Sequence, residues 1–197
     1  MRIVLASGNA GKVIELEQLL EGTGVQLVAQ TSLGVTDADE TGLTFVENAL
    51  IKARHAARAT GLPALADDSG ICVDALDGAP GLYAARYAGT HGDSAANNAK
   101  LLRELDGVPP EKRGAYFIAV LVLLRHADDP APLIAEGRWY GHILEAPRGE
   151  GGFGYDPLFL PDGHDVSAAE LYFALKNRLS HRGQALDRLK ARLVGSV

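Results

Sequence analysis

RIVLASGNAGKVIELEQLL, residues 2–20, changes its period midway, and that change decides the class of fold. Arg2–Ala6 is short, apolar and β-branched, whereas Val13, Leu16 and Leu20 recur at helical spacing. Between the two runs stand Ser7, Gly8, Asn9, Ala10, Gly11 and Lys12. A strand that turns through glycines into a helix is the opening unit of an α/β chain. The free N–H groups at the helix start and the positive end of its dipole favour an anion there. Lys12 would add a point charge. The turn is not a Walker A loop: Ala6 stands where the first glycine is needed and Val13 where the hydroxyl is needed. A plain turn, with Ser7 and Asn9 bonding locally and Lys12 solvated, is the alternative reading of these residues.

The pattern outward from this unit predicts a strand at 26–29 and a polar loop at 31–43 that carries Asp37, Asp39 and Glu40. TFVENALIKARHAARAT, 44–60, predicts a helix opened by a Thr44–Glu47 capping box. Val46, Ala49, Leu50, Ala53, Ala56 and Ala57 share one of its faces. Residues 63–66 read as a buried strand that ends in DDSG, and 71–76 as a further short strand. A loop at 77–93 and a helix at 94–106 follow. AYFIAVLVLLRH, 115–126, is a continuous apolar strand of central type, with 133–144 as its hairpin partner. Residues 147–165 read as a Gly/Pro-rich loop. A Ser167–Glu170 capping box then opens a helix to about residue 178. A last helix runs from Ser180 to about Val194, with Leu186, Leu189 and Leu193 inward. No linker divides residues 1–197, so the expectation is one α/β domain with a mixed sheet.

Composition bounds the function. The chain of 197 residues is 47% hydrophobic and 22% charged, enough for a real core. No apolar run reaches transmembrane length, and no signal-peptide pattern follows Arg2. The single cysteine, Cys72, excludes an internal disulfide. A net charge of −6 without a basic cluster argues against a general nucleic-acid binder. The expectation is a cytoplasmic protein that engages neither nucleic acid nor membrane.

Four stretches could carry chemistry. In ALADDSG, Asp67 and Asp68 are adjacent and followed by Ser69. Paired carboxylates at a strand end are costly unless a cation or hydrogen bonds stabilise them, which points to a magnesium site with a general base; an Asx-type turn with one solvated aspartate is the alternative. A phosphatase of the haloacid-dehalogenase type needs its two aspartates two residues apart, so that reading fails. GGFGYDP, 151–157, offers Phe153 and Tyr155 in a flexible backbone, with Gly154 and Asp156; such aromatics can stack on a planar base, although taken alone the stretch reads first as a turn whose aromatics fill the core edge. LKNRLSHRG places Lys176 near a helix end and His181 and Arg182 at a break. Lysine suits a phosphate, and histidine and arginine can donate to carbonyl oxygens. With the Ser7–Lys12 turn, these groups would serve a purine nucleoside triphosphate with Mg²⁺.

The motifs SGNAGK, TFVENALIKA, ADDSG, GAPGLYAARYAG, GGFGYDPLF and SHRGQAL resemble those of the inosine/xanthosine triphosphate pyrophosphatase family, from residue 2 to about 190. The resemblance implies an elongated mixed β-sheet flanked by helices, with a nucleotide cleft between two lobes, and usually a homodimer. It implies Mg²⁺-dependent hydrolysis of ITP, dITP and XTP to the monophosphate and pyrophosphate. Carried over residue by residue, it places the phosphates on Ser7, Gly8, Asn9, Ala10, Gly11 and Lys12, with Ser69 nearby. It gives Asp68, with Asp67 beside it, the work of a general base. It assigns the metal to Asp68 and to the Asp39–Glu40 pair. It sets the base on Phe153, Gly154, Tyr155 and Asp156, with Lys176, His181 and Arg182 completing the pocket. Leu175 stands where the family usually has an acidic residue. Two rivals are a Maf-type pyrophosphatase for modified pyrimidine triphosphates and a non-catalytic nucleotide-sensing module. The FGYDP loop and the His-Arg pair speak against the first, and Lys12 with Asp68 against the second.

Overall fold

The computed structural model describes residues 1–194, with side chains through Arg192, so Leu193 lies outside the described side chains. Among the described residues, six strands and five α-helices follow in the order β1 (Arg2–Leu5), α1 (Ala10–Leu19), β2 (Gln26–Ala29), α2 (Phe45–Thr60), β3 (Ala64–Val73), α3 (Ser94–Glu104), β4 (Gly114–Leu124), β5 (Leu133–Ile143), β6 (Phe159–Pro161), α4 (Phe173–Leu179) and α5 (His181–Val194). The strands form one sheet in the order β2-β1-β3-β4-β5-β6. β1 runs parallel to β2, with Arg2 opposite Gln26, and parallel to β3, with Val4 opposite Ala64. β6 is antiparallel to β5. The sheet is therefore mixed, as the periodicities predict. None of the described helices is long and apolar enough to cross a membrane.

The contacts divide the chain into two compact units. The first takes Met1–Asp68, Ala119–Gly137 and the chain from Arg182 onward. Its core joins Ile3, Leu5, Leu16, Leu65, Leu121 and Leu186. Each fully buried leucine contributes about 1.5–3 kcal/mol over an exposed one. Ala49, Ala53, Ala56 and Ala57 form the buried face of α2, and their small side chains allow close packing. The expected capping box starts this helix: the Glu47 carboxylate accepts from the Thr44 hydroxyl at 2.8 Å and from Leu43 N–H at 2.9 Å. Gly61, at φ 69°, ends it in the left-handed conformation that favours glycine.

The second unit takes Ser69–Ile118 and Arg138–His181. Ile71, Leu101, Leu105, Trp139 and Leu158 are buried around Phe117, which meets Phe159 edge-on at 4.7 Å.

Three expectations are corrected. β3 does not end at DDSG but runs on through Val73, absorbing the short strand expected at 71–76. Asp67 and Asp68 can sit in mid-strand because cations from α1, α2 and α5 meet them. The Ser167–Glu170 box makes its reciprocal bond, Ser167 N–H to the Glu170 carboxylate at 2.8 Å, yet no helix forms until Phe173. Ser167 Oγ donates to the Arg148 carbonyl at 2.6 Å, and Glu170 pairs with the Arg148 side chain at 3.3 Å. Those bonds tether a loop instead of opening a helix. Within the expected loop at 147–165, Phe159 and Pro161 are buried and pair with β5, giving β6.

Candidate functional site

The sequence-predicted residues fall into two groups, one in each unit. In the first unit, β1 delivers the chain to Ser7, and Asn9 caps α1 by accepting Lys12 N–H on Oδ1 at 3.1 Å. Asn9 N–H is in turn held by Ser7 Oγ at 3.2 Å. The local bonds of a tight turn are thus present, and the turn still leads into a helix N-terminus of ten residues. Lys12 does not point into solvent. Its Nζ lies 3.6 Å from Asp67 Oδ1 and 3.5 Å from the Asp67 carbonyl. Burial pushes the Lys12 pKa down, against the pull of Asp67.

The two adjacent aspartates have different surroundings, because successive residues of a strand face opposite sides. Asp67 is fully buried and accepts from Arg182 Nε; Arg182 also donates to Glu15 on α1. Burial works to raise the Asp67 pKa, but the Arg182 and Lys12 charges outweigh it and hold the carboxyl well below the usual range. Asp68 accepts from Lys52 Nζ at 2.6 Å. Lys52 Nζ also lies 3.1 Å from Glu40 Oε1 and donates to the Asp67 carbonyl at 2.8 Å. Burial raises the Asp68 pKa, with Lys52 opposing. Lys52 itself is desolvated, yet Asp68 and Glu40 lift its pKa above the ordinary value.

This geometry splits the expected metal pair. Glu40 joins Asp68 through Lys52, whereas Asp39 lines a separate groove with Arg54, His55 and Arg58. The loop that carries Glu40 is tied to α2, where Asn48 Oδ1 accepts Gly42 N–H at 2.8 Å. Among the described residues, no group of three or more His, Cys, Asp or Glu side chains is placed to hold a metal. Asp68 and Glu40 nonetheless converge on a single positive charge with hard oxygen donors. That donor set suits a divalent cation of the kind held by one or two carboxylates and completed by substrate phosphates.

In the second unit, the segment 152–156 winds around its own carboxylate. Asp156 accepts Phe153 N–H at 2.8 Å and pairs with Lys176 at 2.8 Å. Lys176 Nζ lies 5.0 Å from the Phe153 ring centroid, a cation–π contact. Asp156 thus orients Lys176 directly, and Leu175, where an acidic residue was expected, takes no part in that pairing. Tyr155 is buried in the core, and its hydroxyl donates to the Ala84 carbonyl at 2.6 Å, so it anchors the loop from behind. His181 stacks on Phe117 at 4.8 Å with 11° between the rings. Ser69, next after Asp68 in β3, is the first residue of this unit.

Arg182, expected to donate to a base, is instead engaged by Asp67 and Glu15 and is 1% exposed. Lys52 and Glu15 escape the sequence reading. Lys52 carries a signal: it interrupts the alanine face of α2, one turn from both Ala49 and Ala56.

The model of the Ham1 family matches residues 3–192. A dITP/XTP pyrophosphatase of Xanthomonas oryzae is 64% identical over 191 residues, covering 97% of this chain and 96% of its own. One from Yersinia pseudotuberculosis is 60% identical, covering 94% of each. Among solved structures, a HAM1 protein from Coxiella burnetii is 49% identical, with a TM-score of 0.90 over 99% of both chains. The Staphylococcus aureus Ham1 protein is 36% identical, with a TM-score of 0.87 over the whole of both chains.

Proposed function

The chain belongs to the Ham1 family, and from that premise we infer that it hydrolyses non-standard purine nucleoside triphosphates, ITP, dITP and XTP, to the monophosphate and pyrophosphate. It is a nucleoside triphosphate pyrophosphatase, with residues 1–197 acting as one catalytic domain. The observation that carries the reading is the convergence of Asp68 and Glu40 on one cation, beside the helix start that bears Lys12. The closely similar pyrophosphatases set aside the Maf-type and sensing-module readings.

The family's chemistry takes a divalent cation, and Mg²⁺ is the one we assign, with Asp68 and Glu40 as its protein ligands. When bound, it supplies charge neutralisation on the phosphate oxygens. The chain's own residues do the rest. The Ser7–Lys12 turn presents N–H groups and the Lys12 ammonium to the outer phosphates. Asp68, raised in pKa by burial, holds the attacking water and accepts its proton. Asp67 is too firmly held by Arg182 to be that base, so it serves as the anchor that keeps Lys12 at the turn. Phe153 stacks the base, Lys176 donates to it, and His181, stacked on Phe117, completes the pocket. Arg182 sets Asp67 and Glu15 in place. A homodimeric assembly and a cytoplasmic setting complete the reading.

The test is pyrophosphate release from ITP, dITP and XTP beside ATP and GTP, with the divalent cation supplied and then chelated. Faster release from the first three, lost on chelation, supports the reading. Orthophosphate as the product, or turnover indifferent to the cation, overturns it.

A further inference from the structure

Asn98, on α3, stands outside every role assigned so far. Its Nδ2 donates to the Gly154 carbonyl at 3.0 Å. Its Oδ1 is buried and has no hydrogen-bond partner among the described residues. Turning the amide over would set oxygen against oxygen at Gly154, so the donor fixes its orientation.

The loop needs the tie. Gly152 and Gly154 have φ values of 68° and 62°, and a Cβ at Gly152 would collide with the Asp156 carboxylate. A loop of this composition has more backbone freedom to lose than any other, so contacts from outside must specify its shape. Inside, Asp156 holds Phe153 N–H and Lys176. Outside, Tyr155 Oη donates to the Ala84 carbonyl, and Asn98 holds Gly154. Both outer ties lead back to α3. The neighbouring Asn97 accepts Ala88 N–H at 2.7 Å and donates to the Ala85 carbonyl at 3.2 Å, which seats the segment that carries Ala84. The GAPGLYAARYAG motif thereby acquires a task.

We propose that Asn98 is a positioning residue for the purine base: its amide N–H keeps the Phe153–Asp156 loop in the conformation that receives the base. The proposal rests on the assignment of that loop to the base. Asn98→Asp keeps the shape and removes the donor, and Asn98→Ala removes both. The expected result is a KM for ITP at least tenfold higher, with kcat within about twofold. Affinity for inosine 5′-monophosphate falls with it, and affinity for inorganic tripolyphosphate, which has no base, stays as in the unaltered protein.

Phe153→Ala is run alongside, with a thermal melt of every variant. If Phe153→Ala weakens the monophosphate and neither Asn98 variant does, the positioning role is overturned while the base loop stands. If Phe153→Ala has no effect, the base assignment falls and the role of Asn98 with it. Equal losses for monophosphate and tripolyphosphate would make Asn98 a general structural residue, which also overturns the proposal.

Discussion

The Lys52 ammonium on α2 donates to the Asp68 carboxylate in β3 at 2.6 Å, and burial makes that pairing the main support of the charge. With Glu40 at 3.1 Å, Lys52 occupies the convergence point of the two acidic residues assigned to the metal. An ammonium and a divalent cation therefore compete for the same oxygens. Lys52→Met removes the competitor and takes one cation from both carboxylates. The variant is expected to lose about 1–3 kcal/mol of stability without metal, the worth of a hydrogen bond to a charged group. Millimolar Mg²⁺ should then raise its Tm by more than it raises that of the unaltered protein. Equal shifts in a metal titration of the two melts would show that Lys52 does not stand in for the cation.

Asp67 and Asp68 are expected to fail differently. Asp68→Asn keeps the shape but loses the proton acceptor, so turnover should fall by about 10²–10⁴-fold, while the melt falls less than in Asp67→Asn because Lys52 keeps Glu40. Asp67→Asn breaks a buried ion cluster with Arg182 and Lys12, and an uncompensated buried charge costs about 3–5 kcal/mol. Its principal loss should be stability. Pyrophosphate release and thermal unfolding on both variants separate the roles, and reversed behaviour would exchange the two assignments.

What could be read from the sequence follows from how local each determinant is. The Thr44–Glu47 box and the Ser7–Lys12 turn were legible because their partners lie within four residues. The course of β3 was not, because the arginine that lets Asp67 stay in mid-strand lies 115 positions away. Without that partner, two carboxylates read as a strand end. The same distance hid the partners of Arg182: beside His181 it reads as a donor to a base, and only the fold brings Glu15 and Asp67 to it. The different surroundings of Asp39 and Glu40 carry no sequence signal, because only the fold brings Lys52 to Glu40 and sets Asp39 beside Arg54 and His55. Asn98 carried no local signal, since its partner is a backbone carbonyl 56 positions along the chain.

Lys12→Ala should weaken triphosphates far more than monophosphates. A charge-assisted contact to phosphate contributes about 1.5–3 kcal/mol, or roughly tenfold to a hundredfold in affinity. The variant also strips Asp67 of one of its cations, which Arg182 still covers. Titration with ITP under chelating conditions, beside inosine 5′-monophosphate, measures both losses. Equal losses would remove Lys12 from the outer phosphates.

Selection against ATP is expected to reside in Lys176. Hypoxanthine, xanthine and guanine carry a 6-oxo acceptor, whereas adenine carries a 6-amino donor. Arg182 is committed to Asp67 and Glu15, which leaves Lys176 as the cation at the Phe153 ring, oriented by Asp156. An ammonium that donates to the 6-oxo group faces a second donor when adenine takes its place. Removing a hydrogen bond to a charged donor costs about 1.5–3 kcal/mol. Lys176→Met should therefore lower kcat/KM for ITP by roughly tenfold to a hundredfold and change that for ATP little. GTP shares the 6-oxo group and should fall with ITP, so its rejection must depend on the 2-amino group and survive the substitution. Methionine is chosen because it fills the buried position without a charge, but it strands Asp156, so Asp156→Asn is combined with it to restore a neutral pair. The three substrates are compared on the double variant. A uniform drop across ITP, GTP and ATP would place Lys176 at the phosphates or in the scaffold, and the 6-oxo group would then be read by another donor.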